Sequence, residues 1–513
     1  MPTAVSTAAS GPSGSGPSGA APTLAVALRR EGLPGPGWWL AGLFLVGVLS
    51  RWATRSQLVQ AWDAGNFVLA LSEFDLERHQ PHMPGVFWVL IALGRLGRPL
   101  FGGDGVAALE LVNALVSAAA LPCGWVLGYR CGGLRVAWWM AGLLFSAPLL
   151  WFYASQPLSY GPELGWVTAI GCCCWFVAAG DRRFVLPLAL LMATAGGIRP
   201  NTPLFLLPLV VVCCWRGWRQ GVAGWRFLVG VVLGAGVLAL WGHAFLSEVG
   251  GFEPFWSKLQ SWKGDHTRQA SGERGPLGNG WELIKTIALT APAAIGLALL
   301  RARPARPAPA APRKEPPASL HHLPERRWLG VFLALWALPS AAYLLLVHFT
   351  RMGHATTLLP AVLLLLALRL GRGGEGRSAG PLRWPRDLLL VVVLQSLLFL
   401  LVPGDRFAAH LRSYDHDWGT AIRAARRYDP ATTLVVVSGE RNQRAWRLPS
   451  VHLPAYDHGE ADLELDQRHD TLPVRPPLQR VVFLDRGLAM TPPALPGVRS
   501  EELIPGRLRL IEV

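Results

Sequence analysis

Long apolar runs separated by short polar turns fill most of the chain. Twelve such runs stand out: Trp38–Trp52, Val86–Leu100, Ala107–Leu127, Val136–Phe152, Gly161–Ala179, Phe184–Ile198, Pro203–Trp215, Phe227–Leu246, Leu283–Leu300, Trp328–Phe349, Ala355–Leu370 and Leu388–Val402. Each is a candidate membrane span, although several fall short of the ~20 residues that a full span prefers. Phe184–Ile198 and Pro203–Trp215 are either two short spans around a Pro/Asn break or one broken helix. After Val402 the pattern changes. Phe407–Tyr428 has helical spacing through Phe407, Leu411, Trp418 and Ile422. TLVVV at Thr433–Val437 and VVFL at Val481–Leu484 have the character of buried strands, with Leu508–Ile511 a candidate third. This tail is long enough for a small α/β domain.

Val86–Leu100 differs from the other runs because Arg95 and Arg98 lie inside it. An arginine at mid-bilayer costs about 2.5–3.5 kcal/mol on insertion scales. Loop charge supplies an independent test. If this segment lies on the surface, the loops at 130–135, 181–183, 216–226, 301–327 and 369–386 share one side and hold 19 Lys and Arg, against 6 in the opposite loops. If it crosses, the imbalance is reversed against the positive-inside rule. The expectation is therefore an α-helical integral membrane protein of about eleven transmembrane helices, N-terminus cytoplasmic, with a small extracytoplasmic C-terminal α/β domain. Val86–Leu100 becomes a juxtamembrane helix. The expected domains are a disordered cytoplasmic tail at 1–36, a polytopic domain at 37–402 and the C-terminal domain at 403–513. The polytopic part includes a first outer loop at 56–106 and a cytoplasmic Pro/Arg-rich linker at 301–327.

Composition supports the membrane reading. Of 513 residues 51% are hydrophobic and only 16% charged, with 23 tryptophans and a mean hydropathy of +0.32. An average globular domain is nearer 25% charged. The net charge of +15 does not point to nucleic acid, because the basic residues sit mostly between apolar segments, where they orient helices. The seven cysteines form no C-x-x-C pair or disulfide framework. Cys172–Cys174 reads as small apolar packing, with a thiol or metal site as the alternative. The Ser/Gly/Ala/Pro-rich residues 1–24 do not have the form of a cleaved signal peptide. His321 and His322 form a possible metal pair, with no acid or cysteine nearby, and SGERNQ in the tail lacks the lysine and spacing of a phosphate-binding loop.

The candidate chemistry concentrates in AWDAGNFVLALSEFDLERHQPHMPG, Ala61–Gly85. Asp63 precedes a helical stretch, Ala64–Leu71, and suits an N-cap. It also suits a general base, since a capped carboxylate is rigid and ionised. His79 and His82 bracket a proline and belong to an extended or turn segment; they are contacts for phosphate or, with a third ligand, for metal. Arg199 in GGIRPNTP stands at a break in the helical period. Broken backbone at membrane depth is tolerated only within protein or beside a water-filled cavity, and an arginine there naturally meets an anion such as a lipid phosphate. Interface anchoring is the simpler role. The stretch with Lys258, Lys263, His266 and Arg268 interleaves Trp256 and Trp262 and reads as a headgroup-facing loop. Arg351 and His354 in FTRMGHA hold phosphate or anchor a helix end.

The order of these features resembles the GT-C superfamily of polytopic glycosyltransferases, and within it the bacterial glycosyltransferase 39-like, or protein-mannosyltransferase-like, family. WDAGNFVLAL is similar to the family's acid and small-residue helix, and RHQPHMPGVFWVLIALGRL to its proline-rich outer segment and amphipathic helix. FSAPLLWFYASQPLSYGPELGW resembles the third-span exit, and GGIRPNTPLFLLPL an arginine-bearing break. The likeness covers residues 38–215 best and gives no match for the C-terminal domain. Many members carry a second acid near the first. Here Ala64 and Gly65 follow Asp63, and the region of the later family acid has Tyr160 and Glu163.

The resemblance implies a polyprenyl-phosphate-linked sugar as donor and a lipid, glycan or protein as extracytoplasmic acceptor, with transfer inverting. It implies Asp63 as catalytic base, with substrate and phosphate contacts from His79, His82, Tyr160, Arg199, Lys258, Arg351 and His354. It implies no metal or other cofactor, since such enzymes commonly need none when a monophosphate leaves. The setting would be a bacterial inner membrane, among membrane lipids. Two rivals stand beside it: a transporter or flippase for a lipid-linked or anionic substrate, which would also use a broken helix, and a noncatalytic envelope-assembly scaffold.

Overall fold

The computed structural model describes residues 36–270, 275–301, 326–372, 383–437, 445–458, 478–488 and 497–512, of which 36, 262–270 and 326 are described by backbone alone. The N-terminal tail, most of the 301–327 linker, His321, His322 and SGERNQ lie outside these residues, as do the side chains of Trp262, Lys263, His266 and Arg268.

The helix Tyr160–Ala178 is the hub. Nearly all of it is buried, because helices Gly105–Ala118, Ala120–Ser146, Val185–Ile198 and Thr202–Arg219 pack around it. Small residues permit that closeness, as is usual between membrane helices. A Cβ added at Gly165 would lie 1.9 Å from the Val116 carbonyl oxygen, and one at Gly217 would lie 2.4 Å from that of Val177. Cys172, Cys173 and Cys174 are buried in this packing. Helix Gly224–Glu248 is the opposite case, with Leu228, Val231, Val232 and Leu240 all exposed. Such apolar faces, left open on so hydrophobic a chain, suit lipid.

Among the described residues five helices are long and apolar enough to cross a membrane, or six if the bent pair Gly275–Thr290 and Pro292–Arg301 counts as one span. The protein is thus multi-pass by length and composition. The other expected spans are shorter helices. Val185–Ile198 and Leu359–Arg372 have 14 residues each, and at ~1.5 Å per residue such helices fall short of a ~30 Å hydrocarbon core.

Several sequence expectations change. Leu283–Leu300 is not one straight helix, since the chain bends by 91° between Thr290 and Pro292, where Pro292 has no N–H to continue the ladder. The turn expected between Arg130 and Arg135 is present but tight, joining two helices that run almost without interruption through Ala120–Ser146. Gly132 leaves helical geometry and Gly133 takes φ 78°. The chain folds back there tightly enough that a Cβ on Gly128 would lie 2.9 Å from the Cα of Ala137. The segment with Lys258 is not a loop, because Phe252–Ala270 is helical. Val86–Leu100 contains a ten-residue helix, Trp88–Gly97, and a 3-10 turn, Arg98–Phe101. It buries Leu90, Ile91 and Gly94, while Arg95 reaches Glu248 at 2.6 Å and Arg98 donates to the Gly103 carbonyl at 2.7 Å.

Beyond the last long helix, Arg383–Leu401, lies a small α/β unit. Helix Ala408–Ala425 packs Leu411, Tyr414, Trp418 and Ile422 inward, as its spacing predicts. Strands β1 (Thr433–Val437), β2 (Arg480–Arg486), β3 (Arg499–Ile504) and β4 (Leu508–Glu512) form a sheet in the order β1-β2-β4-β3. β1 and β2 are parallel, with Val435 opposite Val482, and β4 is antiparallel to both β2 and β3. The sequence reading missed β3. It is an edge strand, RSEELI, exposed along most of its length, so no buried face marks it. Buried Asp417 ties helix to sheet by accepting from Arg486 at 2.9 Å and Arg507 at 2.7 Å.

Candidate active site

Asp63 is not an N-cap. The helix Trp62–Ala70 starts two residues earlier than expected, with Ala61 at its cap position and no side-chain capping bond. Asp63 therefore lies in the first helical turn, where the helix dipole favours a negative charge, and its carboxylate is free to point elsewhere. Arg351 Nη1 donates to Asp63 Oδ2 at 2.5 Å, and His82 Nδ1 stands 3.7 Å from Oδ1. The side chain of Asp63 is 10% exposed and that of Arg351 44%, so the pair sits at the mouth of the site, with the acid inward and the cation outward.

The histidines are carried by a compact turn. Asp75 and Gln80 exchange backbone hydrogen bonds of 2.6 and 2.7 Å, and Asp75 Oδ1 accepts from the Glu77 N–H at 2.8 Å, an Asx-type turn. Within it His79 adopts φ 58°, a left-handed conformation that His tolerates better than most residues. The Trp62 ring lies 5.3 Å from the ring of His79 and 5.2 Å from that of His82. Burial pushes the His79 pKa down, and the nearby charges of His82, Lys258 and Arg447 push the same way. Lys258 is paired with Glu77 at 2.6 Å, at the rim of this group.

A second buried centre lies beside the first. Arg199 has extended backbone, φ −157°, after the last turn of Val185–Ile198. Pro200 follows it, which disfavours helical geometry at that position. Its guanidinium lies 4.4 Å above the Tyr160 ring and 3.3 Å from Glu163 Oε2. Glu163 Oε1 also accepts from Thr202 Oγ1 and Thr357 Oγ1, both at 2.7 Å. Arg199 thus has a buried counter-ion, and Glu163 is its anchor. Tyr153 OH accepts from the Gly353 N–H at 2.9 Å, and the rings of Tyr153 and Tyr160 stand 4.7 Å apart. His354 joins the two centres, 6.0 Å from Tyr160 and stacked 5.2 Å from His348. Burial drives its pKa well below the ordinary value, and Arg199, His348, Arg351 and His82 nearby add to that, which favours the neutral imidazole.

Asp63, His82, Tyr160, Arg199, Arg351 and His354 thus meet at one end of the helical bundle, with His79 held beside them by Trp62 and Lys258 peripheral. Thr202, Thr357, Tyr153 and Trp62 were not singled out by sequence reasoning. The role of Glu163 had a signal: a carboxylate inside an apolar segment needs a partner. The two Asp63 neighbours that matter most, His82 and Arg351, are 19 and 288 residues away in sequence, beyond any local pattern.

No protein-family model matches the chain, and no curated protein matches its sequence. Solved structures do match it. The crystal structure of ArnT from Cupriavidus metallidurans bound to undecaprenyl phosphate aligns with a TM-score of 0.55 at 13% identity, covering 92% of this chain and 98% of that one. The apo state of the same protein aligns with a TM-score of 0.52 at 13% identity, over 92% and 97%. At such identity the likeness establishes architecture, and it extends over almost the whole of both chains: this protein has a GT-C-like fold, shared with ArnT.

Proposed function

We propose that the protein is a membrane glycosyltransferase that takes a sugar from a polyprenyl-phosphate donor and passes it, with inversion, to the hydroxyl of an acceptor outside the cytoplasm. The observation that carries the reading is the Asp63–Arg351 pair at the mouth of the site, within a fold whose solved counterpart holds undecaprenyl phosphate. Asp63 accepts the proton of the acceptor hydroxyl as its oxygen attacks the anomeric carbon. The bond from that carbon to the phosphate oxygen breaks on the opposite face, and the polyprenyl phosphate leaves with the electron pair. Cations placed where charge develops lower such a barrier.

Arg351 is the more exposed arginine of the site and is free of the two-threonine anchor that fixes the Arg199–Glu163 pair. It turns from Asp63 to the arriving phosphate, and the exchange releases Asp63 Oδ2 to act as base. Arg199 stays on Glu163 and fixes the floor of the site through Tyr160. His79, His82 and Lys258 meet the sugar phosphate from the other side, and His354, neutral, supplies a hydrogen bond. The charge of the leaving monophosphate is met by side chains, so the proposal invokes no metal. The acceptor is a lipid, glycan or protein, and the setting a bacterial inner membrane crossed by about eleven spans.

The test is transfer of labelled sugar from a polyprenyl phosphate to a membrane extract by wild-type protein and by Asp63→Asn. General-base loss predicts a fall of at least about 10²-fold. Unchanged transfer in Asp63→Asn removes Asp63 as base. Absence of transfer by the wild type, with lipid-linked substrate moved across liposomes, replaces the enzyme by a transporter.

A further inference from the structure

The C-terminal α/β unit grips the chain on both sides of Asp63. Before it, Asp415 of helix Ala408–Ala425 accepts from Ser56 Oγ at 2.9 Å, the Gln57 N–H at 2.8 Å and Gln60 Nε2 at 3.1 Å. Gln60 Nε2 also donates to the Leu411 carbonyl at 3.0 Å, and Tyr414 OH to the Val59 carbonyl at 3.2 Å. His452 Nε2 accepts from the Val59 N–H at 3.4 Å. Ser56, Val59 and Gln60 are all buried under these contacts.

After Asp63, Arg447 lies across the catalytic helix. A Cβ added at Gly65 would stand 2.5 Å from the Cβ of Arg447, so the arginine stem occupies the space that a side chain there would need. Its guanidinium reaches over the Trp62 ring at 5.9 Å and donates to the Arg78 carbonyl at 2.9 Å. One side chain thereby spans the base-bearing helix and the turn that carries His79 and His82.

We infer that the C-terminal unit is a positioning element of the active site: Asp415 fixes the approach to Asp63, and Arg447 sets the spacing between the Trp62–Ala70 helix and the histidine turn. The unit is thus a template for the site and not an independent binding module. Neither residue touches the reacting atoms; both act through the groups they hold. A displacement of about 1 Å in a reacting group is enough to cost on the order of 10²-fold in rate.

The inference rests on the glycosyltransferase reading for its kinetic arm only. There, Arg447→Ala lowers kcat about tenfold or more, with the donor KM within about twofold, and Arg447→Lys, which keeps a stem and a donor for the Arg78 carbonyl, restores most of the loss. Gly65→Ala, which pushes Arg447 away, reproduces the Arg447→Ala profile. Unchanged kcat in Arg447→Ala overturns the inference. So does a loss confined to KM, which would make Arg447 a substrate contact. The second arm is hydrogen–deuterium exchange and needs no activity. Asp415→Asn speeds exchange of the 56–62 amides while those of Tyr160–Ala178 stay protected. Unchanged protection at 56–62 overturns the role of Asp415. If the wild type transfers no sugar, the functional reading fails while the exchange result still decides whether the C-terminal unit holds this segment.

Discussion

Glu163 offers the most quantitative test of the site. Its side chain is 1% exposed and faces Arg199 at 3.3 Å, with two threonine hydroxyls on the other oxygen at 2.7 Å. Glu163→Gln keeps an oxygen for Thr202 and Thr357 but removes the charge that balances a buried guanidinium. Breaking a buried pair from one side costs roughly 3–5 kcal/mol. The retained threonine bonds and the solvent reaching Arg199, 14% exposed, place the expected loss near the lower end, about 3 kcal/mol. Arg199→Gln alone leaves the carboxylate unpaired, and its loss is of similar size. The double variant leaves two neutral groups that can still hydrogen-bond, so its loss falls short of the sum by at least ~1.5 kcal/mol, a coupling typical of residues in one network. Equilibrium unfolding in mixed micelles, followed by tryptophan fluorescence, reads all three variants. Losses that add within ~0.5 kcal/mol, the behaviour of independent sites, would refute the pairing of Glu163 with Arg199.

Three further outcomes follow. Gly165→Ala places a methyl 1.9 Å from the Val116 carbonyl; forcing two backbones apart costs about 1–3 kcal/mol, and wild-type stability in the same micelle assay would show that the helices are not in contact there. Burial pushes the His452 pKa down to about 4, Asp104 opposing and Arg426 adding to it. Because the folded value lies below the unfolded ~6.5, the stability is complete above pH ~6.5 and declines as pH falls from there toward 4. Exchange at the 56–62 amides therefore quickens, relative to its intrinsic rate, between pH 7 and pH 5, and His452→Gln flattens that dependence; an identical profile in the variant refutes the role of His452. A topology reporter joined after Gly105 reads out on the extracytoplasmic side if Val86–Leu100 stays on the surface, and a cytoplasmic signal would end the eleven-span arrangement.

The hydrophobic pattern alone determined that this chain is a multi-helix membrane protein with a small α/β tail, because bilayer thickness and the periods of helix and strand are written in local sequence. It located most helices, the strand segments Thr433–Val437, Val481–Leu484 and Leu508–Ile511, and the break before Pro200. It could not mark β3, whose residues face solvent, and it ran through the 91° bend at Ala291, although Pro292 is a helix breaker inside that apolar run. It identified Asp63, Arg199, Arg351 and His354 as chemically notable. Which charge answers which was decided only in three dimensions: Arg351 on Asp63, Glu163 on Arg199, and Arg447 above Trp62 and Gly65. Those partners come from segments far apart in the chain, and the energy of an ion pair depends on distance and burial, not on sequence separation. The tertiary structure also brought the C-terminal unit against the segment around Asp63, since Asp415 and Arg447, unremarkable in their own sequence, reach it only once the chain has folded back onto its first loop.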